Sequence, residues 1–275
     1  MTAAERWRAQ LESWAIPDAI LEAAPESPYG FPTELFRQRA AGVRDGEPTP
    51  TTRRAIDALP ERGVVLDVGV GGGATSLPLA GRASTIVGVD EQSDMLREFE
   101  TAARSAGVGA ETVLGRWPDV EARTTGADVV VCGHVVYNVA DLTPFVRALD
   151  GHAALRVVLE LTDIHPLAWM ADLWERFHGL ERPSGPSVAD VDAVLRETGV
   201  EPRREDRTAR EDERAGGFDR RAAAVALVRR RLCLPADRDD EIAEAMGDRL
   251  RAHDGRWSSG PSERTVVTLW WDVRR

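Results

Sequence analysis

The chain has 275 residues and a net charge of −11, from 35 basic and 46 acidic side chains. A chain of this length can bury a sizeable core, and its acidity disfavours broad electrostatic attraction to nucleic acid or anionic lipid. Because it contains no Lys, Schiff-base chemistry and the Lys of a phosphate-binding P-loop are both excluded.

The sequence of the first 60 residues predicts a helical segment that prolines interrupt. One or two short helices are expected over residues 4–22, where Pro17 restarts the pattern. A turn-rich stretch follows over residues 24–32. Two further helices are expected over residues 33–42, which have a Thr N-cap and a terminal Gly, and over residues 48–60.

From Val64 onward, short β-branched runs alternate with helical patterns. The runs VVLDVGV, TIVGVD, AETVLG, DVVVCG and LRVVLELT predict five strands. Helices are expected at Ala74–Arg82, Ser93–Ala106, Asp141–Ala148 and Val188–Thr198. Near-continuous apolar strands joined by right-handed helical crossovers predict a doubly wound, three-layer α/β sandwich.

The last third of the chain has a different pattern. EPRREDRT predicts an edge strand, and ERTVVTLWWDVRR predicts a final strand central enough to carry two tryptophans. Two helices around Pro235, over residues 218–234 and 236–253, form an expected insertion at about 215–255. The charged run 203–214 is expected to be solvated surface.

The glycine loop after the first strand predicts a cofactor site. Gly69, Gly71 and Ala74 form a GxGxxA pattern between a strand and a predicted helix. Asp90 ends the next strand about 20 residues later, where a carboxylate can accept hydrogen bonds from both ribose hydroxyls. A structural turn with a surface aspartate is the alternative.

Two features of the loop disfavour a dinucleotide. Asp67 lies on the strand just before the first glycine, where its charge would repel a pyrophosphate and favour a cationic ligand. Gly73 extends the spacing to GxGxG, which lets the backbone approach a ligand at alternate positions. The sequence therefore favours a cationic ligand over a dinucleotide.

These residues resemble the class I S-adenosylmethionine-dependent methyltransferases. DVGVGGG matches the family's opening acid-x-Gly-x-Gly-x-Gly, and VGVDEQSDML matches its second strand and Met-Leu pair. GRWPDV and ADVVVCGHVVYNV match the stretches that read the adenine ring and end beside the methyl group. The resemblance covers roughly residues 60–165, and WPDV, HVVYNV and ELTDIHP are similar to a group of actinobacterial methyltransferases.

The resemblance implies a Rossmann-like fold with a mostly parallel seven-stranded sheet whose last strand is antiparallel. It implies a helical lid at residues 1–60, a methyltransferase domain at residues 61–275 and S-adenosylmethionine as cofactor. In that picture Asp67 orients the methionine part, and a helix N-terminus near Gly73–Thr75 holds an anion. Trp117 stacks on the adenine, with a packed core aromatic as the alternative. The implied cofactor contacts are Asp67, Gly69, Gly71, Gly73, Asp90, Glu91, Met95, Arg116, Trp117, Gly133 and His134.

Candidate catalytic residues lie where strands end. Methyl transfer requires alignment and exclusion of water, whereas a general base depends on the acceptor. His134 and His165 each follow a strand that should open on the same cleft, and Tyr137, Asn138 and Glu160 lie nearby. These side chains could instead shape the pocket without moving a proton. The lack of an Asn-Pro-Pro-Tyr pattern counts against an adenine or glutamine acceptor.

An apolar stripe follows the fifth strand at helical spacing. Its members are Leu167, Met170, Leu173, Trp174 and Phe177. Such a stripe predicts core packing, and the alternative is the wall of an apolar substrate pocket shared with residues 27–32.

The preferred interpretation is a methyltransferase acting on a small molecule at oxygen. The alternatives are an NAD(P)-dependent oxidoreductase, a catalytically silent S-adenosylmethionine-binding protein, and an RNA or protein methyltransferase. Acidity counts against RNA, so nucleic acid is not an expected partner. The charged start, the lack of a long apolar run and two distant cysteines predict a cytoplasmic protein without membrane contact, disulfide or metal site. A homodimer through the C-terminal helices is a further hypothesis.

Overall fold

A central sheet organises the computed structural model, which describes residues 1–29, 47–210 and 217–274. Its strands are β1 (Gly63–Val68), β2 (Ala83–Asp90), β3 (Gly109–Leu114), β4 (Ala127–Gly133), β5 (Ala153–Thr162), β6 (Arg203–Arg210) and β9 (Glu263–Asp272). They lie in the order β3-β2-β1-β4-β5-β9-β6. A separate hairpin joins β7 (Leu250–His253) to β8 (Arg256–Ser259).

Helices cover both faces of this sheet. Those described are α1 (Ala3–Glu12), α2 (Asp18–Ala23), α3 (Pro50–Ala58), α4 (Ser93–Ala106), α5 (Leu142–His152), α6 (Ala171–His178), α7 (Val188–Glu197), α8 (Arg221–Arg231) and α9 (Asp239–Met246). No helix of the described ranges combines the length and the apolar composition needed to cross a bilayer.

Strand direction confirms the predicted fold class. β1 to β5 pair in parallel, whereas β9 runs antiparallel to both β5 and β6. The antiparallel last strand lies inside the sheet, and its two tryptophans, Trp270 and Trp271, are buried on opposite faces. The predicted edge strand is β6. This doubly wound order places the carboxyl ends of β1, β2, β4 and β5 at one edge, where such folds bind ligands.

Alternation along the strands divides the core into two layers. Leu66, Cys132 and Leu159 face the layer covered by α1, α5 and α7. Val65, Val131 and Val158 face the opposite layer, which α3 and α4 cover. Asp67 and Glu160 fall on this second face, because each lies two residues beyond one of its valines.

The apolar stripe after β5 forms a third cluster, as the core-packing interpretation predicts. Met170, Leu173 and Trp174 are buried against α8 and α9, and Leu167 and Phe177 pack at the margin. This cluster ties the C-terminal insertion to the segment that follows β5.

The predicted helix at Ala74–Arg82 is wrong. That segment forms turns and a single 3-10 turn at Leu77–Leu79. Pro78 has no amide hydrogen to continue an α-helical ladder, and the following bonds are of the shorter type, such as Leu79 N–H to Ser76 O. β2 then begins at Ala83. Without an α-helix, the expected helix N-terminus near Gly73–Thr75 is absent from this part of the structure.

The second helix of the insertion is also shorter than predicted. It ends at Met246, and the following Gly247 has φ +50. The rest of the predicted 236–253 helix becomes β7, which turns back into β8 through Asp254 and Gly255, both with positive φ. An Asp-Gly pair at positive φ is typical of a two-residue hairpin turn, and this signal was missed in the sequence.

The N-terminal segment contacts both faces of the sheet. Trp7 of α1 is fully buried and donates its indole N–H to the carbonyl of Val139. α3 packs on β4 and β5 from the opposite side. A lid role for residues 1–60 stays a prediction. The helix predicted over 33–42, part of the pocket stretch 27–32 and part of the run 203–214 lie outside the described residues.

Candidate functional site

The glycine loop between β1 and β2 depends on residues without side chains. Gly69, Gly71 and Gly73 all have positive φ, at 75, 49 and 86. A Cβ on Gly69 would lie 2.2 Å from a methyl carbon of Val135, so the loop could not approach the end of β4 with any larger residue. The loop therefore lies directly against the carboxyl edge of the sheet.

Asp67 is a buried carboxylate without a hydrogen bond. Its side chain is completely inaccessible, neither oxygen has a partner, and the buried hydroxyl of Ser76 is also unpaired. Burial raises the pKa of Asp67 to about 7; the nearby Ser76 hydroxyl opposes this shift and the charge of Asp90 adds to it. Buried polar atoms of this kind can interact with a polar or cationic ligand.

Asp90 holds the loop in place from the end of β2. One carboxylate oxygen accepts the amide of Gly71 at 2.9 Å, and the other accepts the amide of Gln92 at 2.9 Å. Each oxygen keeps a lone pair for a further donor, such as a ribose hydroxyl. The amides of Ala74 and Thr75 have no partner within the described structure, and they can receive an anionic group.

The other implied cofactor contacts differ in exposure. Glu91 and Arg116 form an exposed pair with 3.6 Å between Nε and Oε1. Met95 is buried in the first turn of α4. Trp117 is buried in the core layer and meets His152 edge-on at 4.8 Å between ring centroids, which favours the packed-aromatic alternative. Its stacking on adenine stays a prediction.

At the end of β4, Gly133 and His134 lie between the glycine loop and β5. A Cβ on Gly133 would be 2.2 Å from Oγ1 of Thr75, so this glycine allows the loop to close on the strand. His134 has φ +59, an uncommon conformation for a residue with a Cβ. Its amide donates to the carbonyl of Glu160 at 2.7 Å. Its imidazole is half-exposed, with Nε2 3.1 Å from Glu160 Oε1.

Glu160 is the opposite of Asp67, because its carboxylate is fully partnered. Oε1 faces His134, and Oε2 accepts the hydroxyl of Thr51 at 2.5 Å. Burial alone would raise the pKa of Glu160, but the hydrogen bond and charge of His134, the Thr51 hydroxyl and the charge of Arg207 together lower it. The carboxylate is therefore ionised and can only accept hydrogen bonds, which places a proton on His134 Nε2 and leaves Nδ1 bare in the neutral ring.

The other two catalytic candidates are engaged in packing. The Tyr137 hydroxyl donates to the carbonyl of Thr162 at 2.8 Å, and burial raises the pKa of this phenol. His165 stacks on Trp14 with 3.8 Å between ring centroids, and its Nδ1 accepts the amide of Leu167. Burial, reinforced by the charge of Arg182, lowers the pKa of His165 to about 4, so this ring is neutral near pH 7. In these contacts, neither the Tyr137 hydroxyl nor His165 Nδ1 is left as a basic atom for an acceptor.

Three polar residues of this region were missed in the sequence: Thr51, Ser76 and Thr268. Thr268 is a buried hydroxyl in the apolar run of β9, so a polar residue inside VVTLWW was an available signal. Thr51 reaches the site only because α3 packs on β5, which no local pattern reveals.

The comparisons with known proteins agree with this fold and loop. Residues 65–153 match the family model described as a methyltransferase domain. Over 110 residues the chain is 34% identical to a protein named ubiquinone biosynthesis O-methyltransferase from Methylobacterium sp. (strain 4-46). The match covers 40% of this chain and spans 44% of that relative's length.

Two solved structures show the same architecture. A candidate methyltransferase from Bacillus halodurans C-125 has a TM-score of 0.53 at 16% identity, covering 82% of this chain and 97% of that one. The YcgJ protein of Bacillus subtilis has a TM-score of 0.52 at 16% identity, covering 82% and 98%. At this identity the two structures show the fold alone.

The fold, with an acid and a glycine loop at the carboxyl edge of a doubly wound sheet, defines a Rossmann-like cofactor-binding protein. The match of residues 65–153 to a methyltransferase-domain model then identifies the kind of domain that this part of the chain forms, a methyltransferase domain.

Proposed function

We propose that this protein transfers the methyl group of S-adenosylmethionine to a hydroxyl oxygen of a small molecule. The observation that carries the proposal is the pair at the ends of β4 and β5. His134 is half-exposed beside the glycine loop, and its Nε2 is bonded to an ionised carboxylate, Glu160. Its Nδ1 makes no hydrogen bond within the described structure, and it is the basic atom that an acceptor hydroxyl can meet.

The cofactor fits the other half of the site. Asp67 and Ser76 offer buried polar atoms without partners, which suit the cationic methionine part of the cofactor. The amides of Ala74 and Thr75 suit its carboxylate, replacing the predicted helix N-terminus. Asp90 retains lone pairs for the ribose hydroxyls while it fixes the loop through Gly71.

When bound, S-adenosylmethionine would supply a methyl group on its sulfonium, whose methyl carbon–sulfur bond breaks to leave a neutral thioether. The task of the protein is then to align the acceptor and to receive its proton. His134 Nδ1 takes the hydroxyl proton as the oxygen forms its new bond to carbon, and Glu160 stabilises the imidazolium that results. His165 and Tyr137 contribute to the walls of the site, since both are held by other contacts.

Three observations support a small acceptor that is methylated at oxygen. A histidine base suits a phenol or alcohol, whose proton must leave near neutral pH. The curated relative that matches 110 residues is named an O-methyltransferase of ubiquinone biosynthesis. The net charge of −11 counts against an RNA acceptor.

A labelled-methyl assay tests the proposal. Purified full-length protein is incubated with methyl-labelled S-adenosylmethionine and a panel of small phenols, catechols, alcohols, amines and carboxylic acids. Label is expected in a hydroxyl compound, with S-adenosylhomocysteine formed in equal amount. Label only in an amine or a carboxylate would refute the oxygen assignment.

Calorimetry separates catalysis from binding alone. S-adenosylhomocysteine is expected to bind the wild-type protein and the His134→Asn variant with similar affinity, because the proposed role of His134 is toward the acceptor, although the resemblance also counts it among the cofactor contacts. Binding without methyl transfer to the panel or to any small-molecule fraction of a cell extract would identify a silent binding protein instead.

A further inference from the structure

The catalytic pair is connected to two threonines that lie far from it in the sequence and outside the family-matched residues 65–153. Thr51 lies on α3 and Thr268 on β9, and each is about 2% exposed. The Thr51 hydroxyl lies 2.5 Å from Glu160 Oε2 and 2.8 Å from the Thr268 hydroxyl. The backbone register supports this arrangement, since Gly133 pairs with Glu160 and Glu160 pairs with Thr268 across three adjacent strands.

The charge of Glu160 determines which group donates in each of these hydrogen bonds. An ionised Glu160 carboxylate can only accept, so the single proton of Thr51 must point to Oε2. Thr51 therefore cannot donate to Thr268, and the Thr268 hydroxyl must donate to Thr51 Oγ1. The sequence of bonds runs from Thr268 through Thr51 to Glu160, while His134 Nε2–H reaches the other carboxylate oxygen.

We propose that Thr51 and Thr268 are positioning residues that fix the Glu160 carboxylate, and through it the tautomer and orientation of the His134 base. Hydrogen bonds in such a chain polarise one another in a low-dielectric interior, so the two hydroxyls fix the carboxylate more firmly than either would alone. His134 needs this support, because it is half-exposed and has a left-handed backbone conformation.

A consequence is that the N-terminal segment supplies part of the catalytic apparatus. α3 lies outside the matched domain, and its Thr51 completes the partners of a carboxylate on β5. The other charge acting on Glu160 comes from Arg207 on β6. The inference rests on the proposed function for its effect on rate, but its main test does not require an acceptor.

The test is the tautomer of His134, measured by two-bond nitrogen–proton NMR correlation on ¹⁵N-labelled full-length protein without cofactor. The His134 signals are assigned by their loss in His134→Asn. In the wild type, Nε2 is expected to carry the proton and Nδ1 to be bare. Thr51→Val is expected to reduce the ratio of this tautomer to the other by about threefold or more, because Glu160 without the Thr51 contact is no longer held with Oε1 toward His134 Nε2.

Matched variants distinguish positioning from packing. Thr51→Ser keeps the hydroxyl and is expected to restore the wild-type spectrum. Thr268→Val is expected to act in the same direction as Thr51→Val, with a smaller change. Thr52→Val is the control, because Thr52 is a buried threonine on the same helix whose hydroxyl contacts Thr49 and not Glu160.

The NMR spectra either support or overturn the positioning role of Thr51. A His134 spectrum unchanged by Thr51→Val would overturn the inference, and so would an equal change in Thr52→Val. Where the panel assay has found an acceptor, Thr51→Val should lower kcat while KM for S-adenosylmethionine stays within about twofold, with rescue by Thr51→Ser. Failure to find an acceptor would count against the proposed function, while the tautomer measurement still decides this inference.

Discussion

Two carboxylates on the same face of the sheet have opposite environments. Asp67 at the end of β1 is buried without a hydrogen bond, and its pKa is raised to about 7. Glu160 at the end of β5, with β4 between them, is bonded to His134 and Thr51, and its pKa is lowered. Asp67 is fully buried and the Glu160 side chain is 16% exposed, and the partners of Glu160 outweigh the effect of burial that dominates at Asp67.

The difference separates two halves of the proposed site, a cofactor half around Asp67 and an acceptor half around Glu160. In the half around Asp67, buried polar atoms have no hydrogen-bond partner within the protein. This is expected of a surface that binds a cationic cofactor. The half around Glu160 is already complete, as expected of a preorganised base whose geometry must not depend on the ligand. The following variants test that division, beginning with the largest expected effect.

His134→Asn is expected to lower kcat by about 10²–10⁴-fold, the usual contribution of a general base. Asn tolerates the left-handed conformation at this position, so the backbone is preserved. The rate is measured under single-turnover conditions with the acceptor found in the panel. A decrease in kcat of less than about threefold would mean that another group receives the proton. A parallel decrease in cofactor affinity would mean that His134 also contributes to the cofactor half.

Asp67→Asn and Glu160→Gln are expected to change stability in opposite directions. The raised pKa of Asp67 means that the folded protein binds an extra proton between pH 4 and about 7, so wild-type stability falls as the pH rises through this window. Asp67→Asn removes this loss and should stabilise the cofactor-free protein at pH 8 by about 2–4 kcal/mol.

The lowered pKa of Glu160 has the opposite effect on how stability depends on pH. Its contribution is present above the ordinary carboxyl pKa and is lost as the pH falls, so Glu160→Gln should destabilise the protein at pH 7 by about 1–3 kcal/mol. Urea unfolding from pH 4 to 8.5 measures both variants against the wild type. A change of the same sign in both would show that the two environments do not differ as described.

Asp90→Ala is expected to weaken the binding of S-adenosylhomocysteine by about 1–3 kcal/mol, because it removes an acceptor for the ribose hydroxyls and the contact that fixes Gly71. Isothermal calorimetry gives the affinity. Gly81→Ala is a suitable control, since Gly81 is exposed and nothing lies within 4 Å of a Cβ there. Equal affinity in Asp90→Ala and the wild type would remove Asp90 from the cofactor half.

More of the proposed cofactor half than of the proposed acceptor half could be predicted from the sequence, for a physical reason. The cofactor half is built from one continuous motif, and Asp67, Gly69 and Asp90 have a fixed spacing that the fold itself requires. The fold class follows from the alternation of apolar strands and helices for the same reason. Both are local properties of the chain.

The acceptor half depends on residues that only the tertiary structure joins. Thr51 lies on a helix, His134 directly after β4, and Glu160 and Thr268 on two further strands, and no periodic pattern in the sequence links them. The helix predicted at Ala74–Arg82 is wrong for a local reason, because Pro78 lacks the amide hydrogen that an α-helical ladder needs. His165 and Tyr137 follow strands as predicted, but their partners could not be foreseen.

The smallest expected effect concerns Arg116, which the sequence placed against the adenine. In the structure it forms an exposed pair with Glu91 at 3.6 Å, and exposed pairs contribute little. Arg116→Ala should therefore change the affinity for S-adenosylhomocysteine by less than about threefold, as measured by the same calorimetry. Glu91→Ala, the other member of the pair, is the control. A tenfold loss confined to Arg116→Ala would mean that its guanidinium contacts the cofactor directly, so that the cofactor half extends past β2 into the segment after β3.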